Sequence, residues 1–330
     1  MKRMYTLIAL LVAFLGVAFF MESGGQLVRQ RTPKVGVLTL MHHPALDQIY
    51  KGYVDELGRL GYHDGKNIKI EYQNANGDQS NLKTMAGKLV NDNCNVIYGI
   101  TTPAAQAIAN STTKTPIVLG AVTDPQGAGL VKNNRHPGGN ISGVSDQAPI
   151  KEQLTLVKEF MPHLKTLGVI YTSSDASAVA GYHQIKRECR RMRIHLKAYS
   201  IANSNDLNQV SEQMLQQVDA VVVPTDNTIA GAMQTLVKNA NAVNKPIFPA
   251  AATMVKQGGV ATYSVNQYEL GVRGAKMTVA ILKGKKPATM PIEYVRHGEP
   301  VLNLKQAHKL GLHVPANFEH EAKTKGAIYQ

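Results

Sequence analysis

Short apolar runs and longer amphipathic periods alternate along the chain from Lys34 onward. The runs predict β-strands, and the periods, with apolar residues three and four apart, predict helices. The predicted strands are Lys34–Leu40, Asn67–Tyr72, Asn95–Ile100, Pro116–Gly120 and Asn140–Val144, and the predicted helices between them are Ala45–Leu60, Gln79–Asn91 and Pro103–Asn110. This order is typical of right-handed βαβ units, so we expect an α/β fold with a parallel sheet covered on both faces.

The second half of the chain repeats the order of the first. The run KVGVLTL from Lys34 returns as TLGVIYT from Thr166, and NIKIEYQ returns as IHLKAYS from Ile194. The paired glycines Gly138-Gly139 and Gly258-Gly259 precede the last strand of each half. This duplicated order of elements predicts two Rossmann-like lobes with parallel sheets. It excludes a solenoid of many short repeats.

Short polar residues follow the equivalent strands in both halves. In parallel α/β sheets, ligands bind beyond the carboxyl ends of the strands, where helix N-termini expose free N–H groups. Two such edges facing each other predict one binding cleft. The predicted binding residues are His43, Pro44, Thr101, Thr102, Thr123, Asp124, Ser145, Asp146, Ser173, Ser174, Thr225, Asp226, Asn227, Thr228 and Asn266. For any single member the alternative is helix capping alone, since the same residue types cap helices in every protein.

The region after Val265 continues with elements that belong to neither repeat. A helix is predicted at Glu269–Leu282, a strand in MPIEYV, and a last helix in NLKQAHKLGL that ends at Pro315. A tail that crosses back between two complete lobes makes a hinge. The predicted boundaries are residues 32–145 with 266–290 for the N-terminal lobe and 146–265 with 291–330 for the C-terminal lobe.

Residues 1–31 have the pattern of an export signal. Lys2 and Arg3 precede the apolar run Met4–Met21, and a small polar exit follows. The run is long enough to cross a bilayer, which needs about 20 residues, so we expect an uncleaved signal anchor, with a cleaved signal peptide as the alternative. No cysteine lies near it, which excludes lipid attachment. The rest of the chain is expected outside the cytoplasm.

Composition narrows the function. The net charge is +13, but the basic residues are scattered along the chain and no aromatic residues are interleaved with them. We therefore expect no nucleic-acid partner. Cys94 and Cys189, the two cysteines, are expected to be small buried residues. No phosphate-binding loop, nucleophile elbow or zinc-protease motif occurs, and the adjacent His42 and His43 lack a spaced third ligand. We therefore expect no enzyme, cofactor or metal.

The polar residues of the cleft suit a zwitterion. No lysine or arginine lies among them, as a phosphate or dicarboxylate ligand would require. Hydroxyls and backbone N–H groups fit one carboxylate, and Asp226 or Asp124 fits one ammonium group. Four tyrosines near strand ends are candidates to flank a flat side chain, although we expect most of them to serve packing. They are Tyr98, Tyr171, Tyr263 and Tyr268.

Several segments together resemble a known family over about Lys34 to Pro315. They are HPALDQIYKGYVDELGRLGY, YQNANGDQSN, GITTPAAQAIAN, AVTDPQGAGLV, ISGVSD, LGVIYTSSDASA, VPTDNTIAG and GGVATYSVNQYELG. The chain resembles the substrate-binding proteins of ABC importers, in the tryptophan or aromatic amino-acid branch. The resemblance implies a class I periplasmic-binding-protein fold with three crossovers and no catalysis. It also implies delivery of the ligand to a membrane permease driven by an ATPase, and we expect a monomer.

The same resemblance implies roles for the site residues. The carboxylate of the ligand is expected near Thr102, Ser173 and Ser174, and the ammonium group at Asp226, beside Asn227 and Thr228. Asp124, Ser145 and Asp146 complete the wall, and His43-Pro44 covers the side chain. Two features depart from the family: the lipid-acceptor cysteine is missing, and Ala250–Met254 is less polar than expected.

Other functions remain as alternatives. The same module with a branched-chain amino acid or another small ligand is the nearest one, and an extracellular sensor domain is a second. We disfavour the sensor because we expect no signalling output segment beside the repeats. A lac-repressor-type regulator is excluded because it needs a helix-turn-helix where the N-terminal apolar run lies.

Overall fold

The computed structural model describes residues 4–5, 8, 10–15, 17, 32–295 and 298–330. The chain forms two compact units, Met1–Pro33 and Lys34–Gln330. In the first unit, residues 10–15 are helical with exposed side chains. Most of the predicted signal region 1–31 lies outside the described residues. Among the described residues, no helix combines the length and the apolar character that a membrane crossing requires.

The first sheet of the second unit is wholly parallel. Its strands are β1 (Lys34–Thr39), β2 (Lys69–Asn74), β3 (Val96–Ile100), β4 (Ile117–Gly120), β5 (Ile141–Ser145) and β11 (Glu293–Tyr294). They are ordered β11-β5-β4-β3-β1-β2. The connecting helices are α1 (Pro44–Arg59), α2 (Gln79–Asn91) and α3 (Thr102–Ser111). The predicted strands and helices of this half are therefore present, with ends shifted by at most two residues.

The second sheet repeats the first with fewer strands. Its strands are β6 (Thr166–Thr172), β7 (His195–Ile201), β8 (Ala220–Val223) and β9 (Ile247–Pro249), in the order β7-β6-β8-β9. The helices of this region are α4 (Ile150–Phe160), α5 (Ala176–Met192), α6 (Leu207–Leu215), α7 (Asn227–Gly231), α8 (Met233–Ala242) and α9 (Ala252–Lys256). We call the part around the first sheet the first lobe and the part around the other sheets the second lobe.

A third, three-stranded sheet corrects the prediction for the tail. Strand β10 (Ala261–Ser264) pairs antiparallel with β12 (Glu299–Asn303), which pairs with β13 (Ala327–Tyr329). Helices α10 (Gln267–Leu282), α11 (Leu304–Lys309) and α12 (Ala316–Lys325) complete the chain. The predicted last helix is α11, but Pro315 begins a further helix instead of closing the fold, and β12 and β13 were not predicted.

The predicted lobe boundary lies at residue 291. Strand β11 follows it, yet pairs with β5 in the first sheet, at Glu293 with Val144 and Tyr294 with Ser145. The chain therefore passes between the lobes after β5, after β10 and after β11.

The strands of the first sheet bury side chains on both faces of the sheet. Val35, Val37 and Tyr98 pack in one apolar cluster with helices α1 and α10. Leu38 and Ile97 point the other way, into a second cluster with α2 and α3. Side chains of successive strand residues lie on opposite faces, so strands that are apolar at every position fit this double cover.

Helices α1 and α10 pack closely through two glycines. A Cβ atom on Gly52 would overlap the backbone oxygen of Tyr268, and one on Gly271 would overlap that of Ile49. Tyr53 in α1 stacks on Tyr98 of β3, with ring centroids 4.1 Å apart. These contacts hold α1 in place, and with it the residue that precedes it, His43.

Candidate functional site

A cavity lies between the carboxyl ends of strands from both lobes. Residues from the ends of β1, β3, β4 and β5 line one side, and residues after β8 and β9 line the other. The cavity is narrow, with a volume of about 40 Å³.

Six predicted residues line this cavity together. They are His43, Thr101, Asp146, Thr225, Asp226 and Asn227. Ser177 and Gln267 are further polar members that the sequence did not indicate. Ser177 lies in the first turn of α5, where a serine is usually explained by helix capping. Gln267 is the first residue of α10.

Asp226 is a buried carboxylate that accepts three hydrogen bonds. Its Oδ2 accepts from the backbone N–H of Thr172 at 2.6 Å, and its Oδ1 accepts from the Thr172 hydroxyl at 2.9 Å and from Ile229 N–H at 2.9 Å. It thereby caps α7 and joins it to the end of β6. Burial raises the pKa of Asp226 to about 6, partly offset by these donors.

Asp146 is the carboxylate of the first lobe in the cavity. Its Oδ1 accepts a hydrogen bond from the Thr123 hydroxyl at 2.8 Å, and Ser145 donates to the carbonyl oxygen of Thr123 at 3.1 Å. Burial raises the pKa of Asp146 to about 6, and the charge of Asp175 adds to the rise. A cationic group in the cavity would stabilise the ionised form of Asp146 and of Asp226.

A chain of hydrogen bonds crosses the cavity between the lobes. His43 Nε2 lies 3.3 Å from Asn227 Oδ1, and Asn227 Nδ2 donates to Asp175 Oδ2 at 3.0 Å. Asp175 Oδ1 in turn accepts from the Ser177 backbone N–H at 2.8 Å. His43, Asn227 and Asp175 are all buried.

Two cavity residues adopt backbone conformations that side chains disfavour. Thr101, after β3, has φ +92°, and Ala121, after β4, has φ +65°. Positive φ costs a non-glycine residue about 1–3 kcal/mol, and such strain concentrates at functional sites. The first lobe thus holds a strained edge at the cavity.

Thr102 and Asp124 lie beside the cavity in a second, more open groove between α3 and α5. Ala176, His183 and Arg187 line the same groove. Thr102 is buried at the first position of α3, and its hydroxyl has no hydrogen-bond partner. Asp124 caps its own turn by accepting from Gly127 N–H at 2.8 Å.

The remaining predicted residues do not line the cavity. Ser173 and Ser174 donate to the carbonyl oxygens of Ile201 and Ala202. Asn266 caps α10 by accepting from Glu269 N–H at 3.0 Å. The others in this group are Pro44, Thr123, Ser145 and Thr228.

The apolar wall of the cavity went unpredicted. Leu46 and Ile49 from α1 and Met254 and Val265 from the other side supply it. Ala250 and Ala251, in the segment that is less polar than the family pattern, face the same space. The four candidate tyrosines lie elsewhere: Tyr98 stacks on Tyr53, Tyr171 stacks on Tyr182, and Tyr263 and Tyr268 donate to Glu321 and Asp55.

His42 and the cysteines have structural surroundings. His42 Nδ1 lies 3.0 Å from an Asp47 carboxylate oxygen at the surface. Within the described part of the chain, no three histidine, cysteine or acidic side chains group as a metal site. Cys94 and Cys189 are buried and unpaired, and burial raises the pKa of the Cys94 thiol to about 11.

Comparison with known proteins identifies the class of protein. The fold is that of the class I periplasmic binding proteins, as predicted. Residues 34–325 match the family described as ABC transporter substrate binding protein. The chain belongs to this family, whose members work outside the cytoplasm.

Three relatives are similar over most of their length. A tyrosine-binding protein of Clostridioides difficile (strain R20291) is 35% identical over 274 residues, which are 83% of this chain and 79% of that protein. An ABC domain from Streptococcus pneumonia, solved in complex with L-Trp, is 39% identical with a TM-score of 0.87, covering 90% of this chain and 99% of that one. A ligand-free, open substrate binding protein with adhesive properties from Clostridium difficile is 33% identical, with a TM-score of 0.70 over 90% and 99% of the two chains. The TM-score is thus higher against the L-Trp complex than against the open form.

Proposed function

We propose that this protein binds an aromatic amino acid in the cavity between its lobes and delivers it to the permease of an ABC importer. The observation that carries the proposal is the lining of the cavity, which combines apolar side chains, among them Leu46, Ile49 and Met254, with two buried carboxylates, Asp146 and Asp226. This combination fits a zwitterion that carries an apolar side chain. The relatives named for tyrosine and solved with L-Trp support the aromatic class.

The ammonium group of the ligand is assigned to Asp146 and Asp226. Both carboxylates are buried and have raised pKa values, so an ammonium group would gain from both charges and lower both pKa values. Asp146 is the stronger candidate, because Asp226 already accepts three hydrogen bonds.

The carboxylate of the ligand is assigned to the start of α3. The helix begins at the cavity-lining Thr101, and the unpartnered Thr102 hydroxyl lies in the adjoining groove between α3 and α5. Free N–H groups at a helix start favour an anion. Ser173 and Ser174, the other predicted partners, donate to backbone carbonyl oxygens instead.

The remaining parts of the proposal follow the family. The protein acts by binding and not by catalysis, as a monomer, and its partner is a membrane permease with its ATPase. It is held at the outer face of the membrane by residues 1–31.

Fluorescence of the ligand tests this function, because the chain contains no tryptophan. We expect free L-Trp to show a blue-shifted, saturable emission on titration with the protein. Tyrosine should compete for the same site, and arginine, whose side chain is charged, should not. Absence of a shift together with absence of thermal stabilisation by tyrosine or phenylalanine would overturn the proposal.

One observation favours a second ligand class. The apolar wall is aliphatic, since no tyrosine or phenylalanine lines the cavity among the described residues. A branched-chain amino acid would fit such a wall. Leucine and isoleucine in the same competition separate the classes, since displacement of L-Trp by either would indicate this alternative.

A further inference from the structure

One ring nitrogen of His43 is buried in the cavity without a partner. The side chain lines the cavity, the residue is 7% exposed, and Nδ1 contacts no hydrogen-bonding group. A buried polar atom left unpaired costs about 1–3 kcal/mol. Such an atom in a binding cavity indicates a place that a ligand atom fills.

The hydrogen-bond chain across the cavity determines which ring nitrogen of His43 carries the proton. Asp175 can only accept, so Asn227 must donate its amide N–H to it and present its amide oxygen to His43. His43 Nε2 therefore carries the proton and donates to that oxygen, 3.3 Å away. Burial lowers the pKa of His43 and keeps the ring neutral near pH 7. Nδ1 is consequently a bare acceptor.

We propose that His43 Nδ1 accepts a hydrogen bond from the ring donor of the ligand, the indole N–H or the phenol O–H. The site thereby selects aromatic amino acids that carry a ring donor over phenylalanine and aliphatic amino acids. This inference rests on the proposed function. The placement of His43 supports it, because the neighbouring cavity residues on α1 are the apolar Ala45, Leu46 and Ile49, which suit a side chain and not an ammonium group.

An isosteric ligand pair tests the acceptor. In 3-benzothienyl-L-alanine a sulfur replaces the indole N–H of L-Trp, while the amino and carboxyl groups and the ring shape are kept. We expect the unmodified full-length protein to bind L-Trp at least about 10-fold more tightly, because the analogue leaves Nδ1 unpaired. Tyrosine should bind more tightly than phenylalanine for the same reason. Calorimetry of both pairs measures the ratios.

Variants locate the effect at His43. In His43→Leu the ratio of the two affinities should fall to about one, through loss of L-Trp affinity alone. His43→Asn, whose amide oxygen can take the place of Nδ1, should restore part of the ratio. His42→Leu is the matched control, since His42 is exposed and outside the cavity, and it should keep the full ratio.

Each outcome has a distinct meaning. Equal affinity of the unmodified protein for L-Trp and its sulfur analogue would overturn the inference and leave the proposed function intact, even if no variant folds. A proportional loss of both ligands in His43→Leu would also overturn it, since His43 would then contact the ammonium group or the ring face. Binding of no aromatic amino acid would overturn the proposed function and the inference with it.

Discussion

The two lobes repeat one order of strands and helices, yet they use their polar groups at the cavity differently. In the first lobe, His43 Nδ1 in the cavity and the Thr102 hydroxyl in the adjoining groove are buried without partners, and Thr101 and Ala121 have strained backbone conformations. Within residues 147–265 of the second lobe, all of which the structure describes, no buried side-chain nitrogen or oxygen lacks a partner. Asp226 illustrates this, with three donors.

The difference shows that two equivalent sheet edges can take different roles at one cavity. In the second lobe, the buried polar side chains already have hydrogen-bond partners within the protein. In the first lobe, some buried polar atoms have none, and a ligand can supply one. Substitution in the second lobe should therefore act mainly on stability, and substitution in the first mainly on affinity.

The largest expected effect is that of Asp226→Ala in the second lobe. It leaves buried donors of Thr172 and Ile229 unpaired and removes the cap of α7. We expect a loss of about 2–4 kcal/mol in the free energy of unfolding, together with loss of ligand binding. Urea unfolding followed by circular dichroism measures it.

Asp124→Ala is its control. This residue also caps a turn but is more exposed and bonds only Gly127 N–H. Its loss should cost less than about 1 kcal/mol. If Asp226→Ala unfolds at the same urea concentration as the unmodified protein, the second lobe does not depend on this network.

Asp146→Asn in the first lobe should lower affinity without lowering stability. It removes a buried charge, so the unliganded protein should be as stable or more stable at pH 7, while affinity for the amino acid falls about 10–100-fold. Calorimetry and thermal unfolding measure the two quantities. Loss of stability without loss of affinity would reverse the assignment of roles.

The pH dependence of this variant gives a further check. The folded-state pKa of Asp146, about 6, lies above the unfolded value near 3.8, so the folded state binds the proton more tightly. Its contribution therefore makes the protein more stable as the pH falls from 7 to 5. The advantage of Asp146→Asn over the unmodified protein should shrink over that range by about 1–2 kcal/mol. A constant difference would contradict the raised pKa.

The smallest effects come from single hydroxyls. Thr102→Val removes an unpartnered hydroxyl, so stability should hold or rise by up to about 1 kcal/mol while affinity falls about 5–10-fold. Ser173→Ala removes a hydrogen bond to Ile201, so it should cost up to about 1 kcal/mol with affinity unchanged within about twofold. Unfolding curves and ligand titrations of both variants measure these changes in stability and affinity. Equal affinity losses would erase the contrast between the lobes.

The central strands could be predicted from sequence because each is a short apolar run between turns, as in β1 and β8. Two strands of the third sheet, β12 and β13, could not. Strand β12 contains Pro300 and β13 is half-buried, so neither shows a clear pattern. Helix α12 buries little beyond Phe318 and Ala322, which leaves its period weak.

The polar half of the site was predictable for the same local reason. Residues after strand ends are identified by position, and Asp146 and Asp226 were found in this way. The apolar wall was not, because Ile49 and Met254 read as core residues whether they face a cavity or a sheet. The bonding of Ser173 to a carbonyl oxygen depends on the approach of β7, which adjacent sequence does not reveal.

The glycine contact between α1 and α10 has a consequence for inherited variation. Gly271 presses on the backbone of Ile49, which lines the cavity, and neither helix can accept a larger residue there without moving apart. A substitution at Gly52 or Gly271 would shift His43 and Ile49 together. Such a substitution should weaken ligand binding, although the altered residue never touches the ligand.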